Sequence, residues 1–155
     1  MTVHSLHLSG ATQLLTYALL SDGDFDEAVG AGKQALMYAR QIFGEDSTEA
    51  AAAMVNLCTA LVETGKLGEE TEALLRRAQD IYALTSVETS MSQGKEKTEY
   101  SPEYVHTTLM LGTLYLFRED IDKAEMELRL AAKRGGFLRE GEDEEDIGLR
   151  NFPLF

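Results

Sequence analysis

A pattern returns along this chain every 42 residues, and that spacing limits the folds open to it more than any other feature. Gly23 and Gly65, Phe25 and Leu67, and Leu15 and Leu57 are each 42 residues apart. Each glycine sits between two apolar-periodic stretches. "ATQLLTYALLSD" and "DEAVGAGKQALMYARQIF" flank Gly23, and "TEAAAAMVNLCTALVET" and "EETEALLRRAQDIYAL" flank Gly65. Leucine and alanine recur at three- and four-residue spacings, the period of an amphipathic helix. Proline, which would interrupt it, occurs only at Pro102 and Pro153. A third pair runs from Tyr104 to Lys133 with its turn in "LFREDIDKA". Helix pairs at a fixed period cannot bury their apolar faces alone, so neighbouring pairs stack into a solenoid.

The third pair arrives late. Leu57 and Leu111, taken as equivalent, are 54 residues apart, so about a dozen residues are inserted between the second and third pairs. They fall in "TSVETSMSQGKEKTEYSP", which is polar and aperiodic and reads as a surface loop over 86–101. A loop that orders against a partner, or carries a phosphorylation switch at Ser101, is the sharper alternative. Ser101-Pro102 reads as an N-cap followed by proline at the first helical position. Asp24 with Glu27 and Asp46 with Glu49 resemble capping pairs at two further helix starts. Gly44 and Gly135-Gly136 read as helix stops. The expected organisation is an extension over 1–8 and a solenoid over 9–135, with pairs at about 9–44, 46–85 and 102–135. An acidic tail over 136–155 ends in the apolar "NFPLF".

Fourteen Lys and Arg face 27 Asp and Glu, a formal charge of -13. Nucleic acid and anionic membrane surfaces need concentrated positive charge, so this balance argues against both and favours basic protein partners. Part of the excess lies in "EGEDEED" at 140–146, which reads as a solvated run or a docking patch for a basic partner. Cys58 is the only cysteine, so no internal disulfide can form, and a reducing compartment suits the chain. No stretch approaches 18 apolar residues, and "MTVHSLHLSG" lacks a signal peptide's basic-then-apolar order. A cytoplasmic location is the expectation.

Chemistry-bearing motifs are sparse. Asp22, Asp24 and Asp26 alternate as a calcium loop's first ligands would, but that loop needs glycine at its sixth position and glutamate at its twelfth, where Glu27 and Lys33 stand. His4 and His7 have no cysteine or further histidine near them and read as surface residues rather than metal ligands. Cys58 falls at a small-residue packing position. No serine or cysteine has a base and an orienting acid at a recognisable spacing, and no glycine-rich phosphate loop occurs. The sequence supports no catalytic residue, no metal and no cofactor.

The pairs resemble the tetratricopeptide repeat family. The third carries the pattern best, with Leu111, Gly112 and Tyr115 on its first helix and Ile121, Ala124, Leu128 and Ala131 on its second. The first has Leu15, Leu19, Gly23, Phe25, Ala28 and Ala35, departing at Thr16 and Gly32. The second has Leu57, Cys58, Leu61, Gly65 and Leu67, and one extra residue after its turn would put Thr71, Leu75 and Ala78 on the buried stripe. Gly112 would be the small position against which the second helix packs. The 42-residue period is similar to the kinesin-light-chain-like subtype, and the segment from Glu27 to Ala132 resembles ciliary repeat proteins that elsewhere accompany a MYND zinc finger, which one cysteine cannot form.

The resemblance implies an all-α, right-handed α-solenoid whose first helices line a concave face. In the family register that face presents Gln13, Tyr17 and Leu20, then Val55, Thr59 and Val62, then His106, Leu109, Thr113 and Phe117. These are mostly apolar or neutral, unlike the lysine, asparagine and arginine with which co-chaperone members grip a peptide carboxylate. The implied function is a non-catalytic protein-protein scaffold, a subunit of a hetero-oligomeric assembly such as a dynein-associated axonemal complex of cilia or flagella. The alternative is a free cytosolic adaptor or co-chaperone-like peptide binder, and an enzyme is a distant third. In the tail, Phe152, Leu154 and Phe155 are candidates for docking into a partner.

Overall fold

The computed structural model describes residues 3–137, and every regular element in that span is a helix. The order is α1 (Val3–Asp22), α2 (Phe25–Phe43), α3 (Thr48–Glu63), α4 (Glu69–Ser92), α5 (Pro102–Phe117) and α6 (Ile121–Arg134). Each helix packs on the next in the chain, and α1 also touches α3. This is the stacked array of helix pairs that the repeat requires.

The three pairs turn in one way. Asp24 N–H donates to Leu19 O, Lys66 N–H to Leu61 O, and Asp120 N–H to Tyr115 O, at 2.8 to 2.9 Å, while the residue before each donates to the next carbonyl along, that of Leu20, Val62 or Leu116. These paired bonds satisfy the last carbonyls of the first helix and require a left-handed residue. Gly23 (φ 81°) and Gly65 (φ 78°) supply it in the first two turns, and Glu119 (φ 60°) stands there in the third.

Ser47 and Ser101 have extended backbones and accept capping bonds from Ala50 N–H (3.1 Å) and Tyr104 N–H (3.2 Å). Asp120, with ψ 78°, accepts from Lys123 N–H (3.4 Å), whereas Asp24, with ψ 63°, is at an N-cap and makes no side-chain capping bond. The capping pair expected at Asp46 and Glu49 is also displaced: Ser47 is the cap, and Asp46 reaches instead to Arg77 on α4.

Two boundaries differ from the sequence reading. The span 86–101 is not a loop throughout, because α4 continues to Ser92. Ser86 and Ser90 are buried on that extension, where their hydroxyls accept from Ser101 N–H (3.0 Å) and Glu99 N–H (2.9 Å). The connecting segment is thereby fastened to α4. At the other end α1 begins at Val3, so residues 3–8 of the expected extension are helical.

Packing follows the repeat stripe except at Leu15 and Ile121, which are 50% and 56% exposed. One core gathers Met54, Leu57, Leu61, Ile81 and Tyr104 with the alanines of α2 and α3, and a second gathers Cys58, Leu75, Leu111, Leu114 and Tyr115. In α3, Ala50, Ala51, Ala53 and Ala60 are all fully buried, which lets helices approach this central element from several sides. Thr71, Leu75 and Ala78 are buried as the one-residue shift requires. A Cβ on Gly112 would lie 2.7 and 2.8 Å from Leu128 Cδ2 and Cγ, so the glycine is where α6 closes on α5. The fold is an all-helical solenoid of three helix pairs.

Candidate binding groove

The first helices of the three pairs open onto one concave depression of about 390 Å³. It is lined by Tyr17, Leu20 and Ser21 of α1, Val55, Asn56 and Thr59 of α3, and His106 and Met110 of α5. No Asp, Glu, Lys or Arg is among these residues. The position of each side chain follows from helical period: Val55 and Thr59 are one turn apart on α3, as His106 and Met110 are on α5. Thr59 Oγ1 donates to Val55 O at 3.0 Å, so its hydroxyl is spent on its own helix and its methyl remains to face the depression.

Of the ten residues that the family register puts on the concave face, Tyr17, Leu20, Val55, Thr59 and His106 line this depression. Gln13, Val62, Leu109, Thr113 and Phe117 do not. Val62 is packed against the second core, Thr113 donates to Leu109 O at 2.9 Å, and Phe117 is exposed at the C-terminal end of α5. Ser21, Asn56 and Met110 are the lining residues that the register missed. Each stands next to an expected position or one turn from it, a distinction that depends on helix rotation rather than residue type. Phe152, Leu154 and Phe155 lie outside the described residues.

A polar network ties the groove's third helix, α5, to α4 and α6. Glu127 of α6 is 1 % exposed, and its Oε1 is 2.5 Å from Arg76 Nη1 of α4. Gln79 Nε2 donates to Glu127 Oε2 (3.2 Å) and to Thr108 Oγ1 of α5 (2.9 Å). Arg76 Nη2 donates to Tyr115 OH (2.9 Å), which donates in turn to Glu72 Oε1 (2.5 Å), and Glu72 also pairs with Arg118. The Tyr115 hydrogen bond, with Arg118 and Lys123 beside it, holds the Glu72 carboxyl below its usual range. A buried charge that lost its partner would be strongly destabilising, so the chain of bonds fixes α4, α5 and α6 as one unit.

The Cys58 thiol is held in its protonated form. Cys58 is fully buried, its Sγ 3.6 Å from Thr71 O, and burial followed by the nearby Glu70 charge pushes its thiol up to about 12. A thiol so held is almost never the nucleophilic thiolate at neutral pH. Among the described residues no three His, Cys, Asp or Glu side chains gather as a metal site would require, and no helix is long and apolar enough to cross a membrane.

No family model matches the sequence, and no curated protein matches it. Among solved structures it is similar to the crystal structure of BtubC (BKLC) from P. vanneervenii, with 23% identity and a TM-score of 0.68. The match covers 86% of this chain and 48% of that one, so the chain spans about half the length of the structure it matches. At that identity the likeness concerns the fold alone, an all-helical array of helix pairs.

Proposed function

We propose that this chain is a non-catalytic protein-interaction scaffold that receives an apolar helix or extended segment of a partner in its concave groove. The observation that carries the proposal is the uncharged depression spanning all three pairs, whose lining comes from α1, α3 and α5. Burying two or three apolar side chains there would contribute about 1.5 to 3 kcal/mol each before ordering costs. Asn56 supplies an amide that bonds no other described residue and suits the partner's backbone. A carboxylate clamp of the co-chaperone kind is disfavoured because no lysine or arginine lines the groove. The charge of -13 outside it favours a partner with a basic surface, steered over roughly 10 Å at ordinary salt.

The finer reading is membership of a larger cytoplasmic assembly, with the dynein-associated complexes of the ciliary axoneme as the candidate. It rests on the resemblance of residues 27–132 to ciliary repeat proteins. Affinity purification from native cells with chemical cross-linking tests the binding mode, which requires cross-links from α1, α3 and α5. Cross-links confined to α2, α4 and α6 would refute it. Imaging a tagged copy tests the assembly: the proposal expects axonemal signal, and diffuse signal without it would remove the ciliary reading while leaving the groove intact.

A further inference from the structure

The first helix is folded inside out. In α1 the residues facing the body of the protein are Thr16, which is buried, and Ser5, Ser9 and Thr12, which are half-buried, joined only near the end by Leu19 and Leu20. Val3, Leu14 and Leu15 face away: Leu14 is 73% exposed, Leu15 50% and Val3 69%. An apolar helix face without a covering partner is the mark of an interaction surface. The last helix differs, with Asp122, Lys123 and Arg129 outward beside Ile121 and Met126, and Ala124, Leu128 and Ala131 inward.

We infer that the exposed face of α1 is a homodimer interface, in which α1 of one copy lies antiparallel across α1 of a second. Charge selects this occupant. In a chain of net charge -13, residues 3–21 contain no Asp, Glu, Lys or Arg, so two copies can meet along this helix without setting acids against acids. Shape selects it too. Val3, His7, Gly10, Leu14, Tyr17 and Ser21 follow one another at four- and three-residue steps, the seam by which two helices interlock; Tyr17 and Ser21 also line the groove, so a second copy and a groove-bound partner share that edge of α1.

The seam complements itself. A two-fold axis at the level of Thr12, near the middle of α1, sets Leu14 of each copy opposite Gly10 of the other and His7 opposite Tyr17. Leu14 is the most exposed leucine of the helix, and the space where a Gly10 Cβ would stand is empty to 4 Å. A knob and a hole equidistant from the axis form the isologous contact that a symmetric dimer requires. Two such helices bury on the order of 1,000 Å² in total, the lower end for specific interfaces, so the dimer forms in a concentration-dependent way.

Sedimentation equilibrium of the 155-residue chain across about 1 to 200 μM tests this. The expected result is a rise from the 17.1 kDa chain mass to twice that value, tightening with added salt as the acidic exteriors are screened. Leu14→Arg should restore the single-chain mass with an unchanged helical spectrum. Gly10→Leu should weaken dimerisation at least tenfold while leaving the monomer's melting temperature equal or higher, because the added side chain meets open space in the monomer. A short thiol cross-linker tests the register. Ala11→Cys should couple to its copy, whereas Val3→Cys should not, the two copies of residue 3 being about 27 Å apart along the helices at 1.5 Å per residue. Native Cys58 is buried and stays silent. A single-chain mass throughout, a dimer untouched by Leu14→Arg, weakening by salt, or coupling at position 3 but not 11 would each overturn the proposal.

Discussion

Replacing Gly112 with alanine sets two effects of known sign against each other. In a helix interior the exchange ordinarily gains about 1 kcal/mol. Here the new Cβ would lie 2.7 and 2.8 Å from Leu128 Cδ2 and Cγ, while Ala124 O at 3.6 Å is in ordinary contact. Leu128 is 4% exposed and held between α5 and α6, so it can yield only by moving off its rotamer or pushing the helices apart. Overpacking of this kind costs about 1 to 3 kcal/mol, leaving a net destabilisation of roughly 0 to 2. Gly30→Ala on α2 is the control: it too is helical, but nothing lies within 4 Å of its Cβ, so the gain of about 1 kcal/mol should appear whole. The diagnostic step is a cycle with Leu128→Ala. That substitution alone should cost about 2 to 5 kcal/mol, and in its background Gly112→Ala should become stabilising, a coupling of about 1 to 3 kcal/mol. The assay is urea unfolding followed by far-ultraviolet circular dichroism, comparing midpoints among variants whose slope is unchanged. If Gly112→Ala stabilised the parent chain as much as Gly30→Ala, the account of the α5–α6 contact would be wrong. Gly112→Leu, with a larger side chain in the same place, should destabilise by at least about 1 to 3 kcal/mol.

Glu119→Gly should stabilise by about 0.5 to 1 kcal/mol, since the left-handed conformation costs a non-glycine residue 1 to 2 kcal/mol and glycine returns part of that in chain entropy. A lower thermal midpoint would show that the exposed Glu119 side chain contributes something to the turn. Arg76→Met should cost about 3 kcal/mol by stranding buried Glu127, and pairing it with Glu127→Leu should recover most of the loss; equal losses in the single and double variants would remove the network from the account. Glu72 has a folded-state pKa below its unfolded one, so its contribution is present above about pH 4.3 and is lost as pH falls through the depressed value. Glu72→Gln should flatten the acid limb of a stability–pH curve, and an unaltered limb would contradict the assignment.

Where apolar residues set the packing, the sequence was readable. Gly112, Leu111 and Tyr115 announced the third pair, and the misfit of Glu70 was enough to place Thr71, Leu75 and Ala78 on the buried stripe. The reading failed where polar groups took apolar positions. The end of α4 looked like loop because Ser86 and Ser90 are polar, yet their hydroxyls are buried by accepting bonds from Ser101 and Glu99 N–H groups distant in sequence. Periodicity cannot see a partner of that kind. Glu127 was invisible for the same reason, a charge in a helix being expected to face water unless its Arg76 is known. In α1 Leu14 and Leu15 point outward, so their spacing names a face without saying which side of the molecule it covers. Five of the eight groove residues were legible from helical phase, and Asn56 was missed because it stands beside Val55 at the edge of the stripe.

The central claim is that the concave groove is the binding surface, and the most direct test is the affinity of one partner segment for parent and groove-altered chains. The segment is taken from the cross-linked partner, synthesised, and titrated calorimetrically against the parent, Thr59→Arg and His106→Asp. Both substitutions leave the two cores untouched, and helical content and thermal midpoint serve as controls. The account predicts at least a tenfold loss of affinity for each, equivalent to about 1.4 kcal/mol or more. Affinities within twofold of the parent for both variants would contradict it.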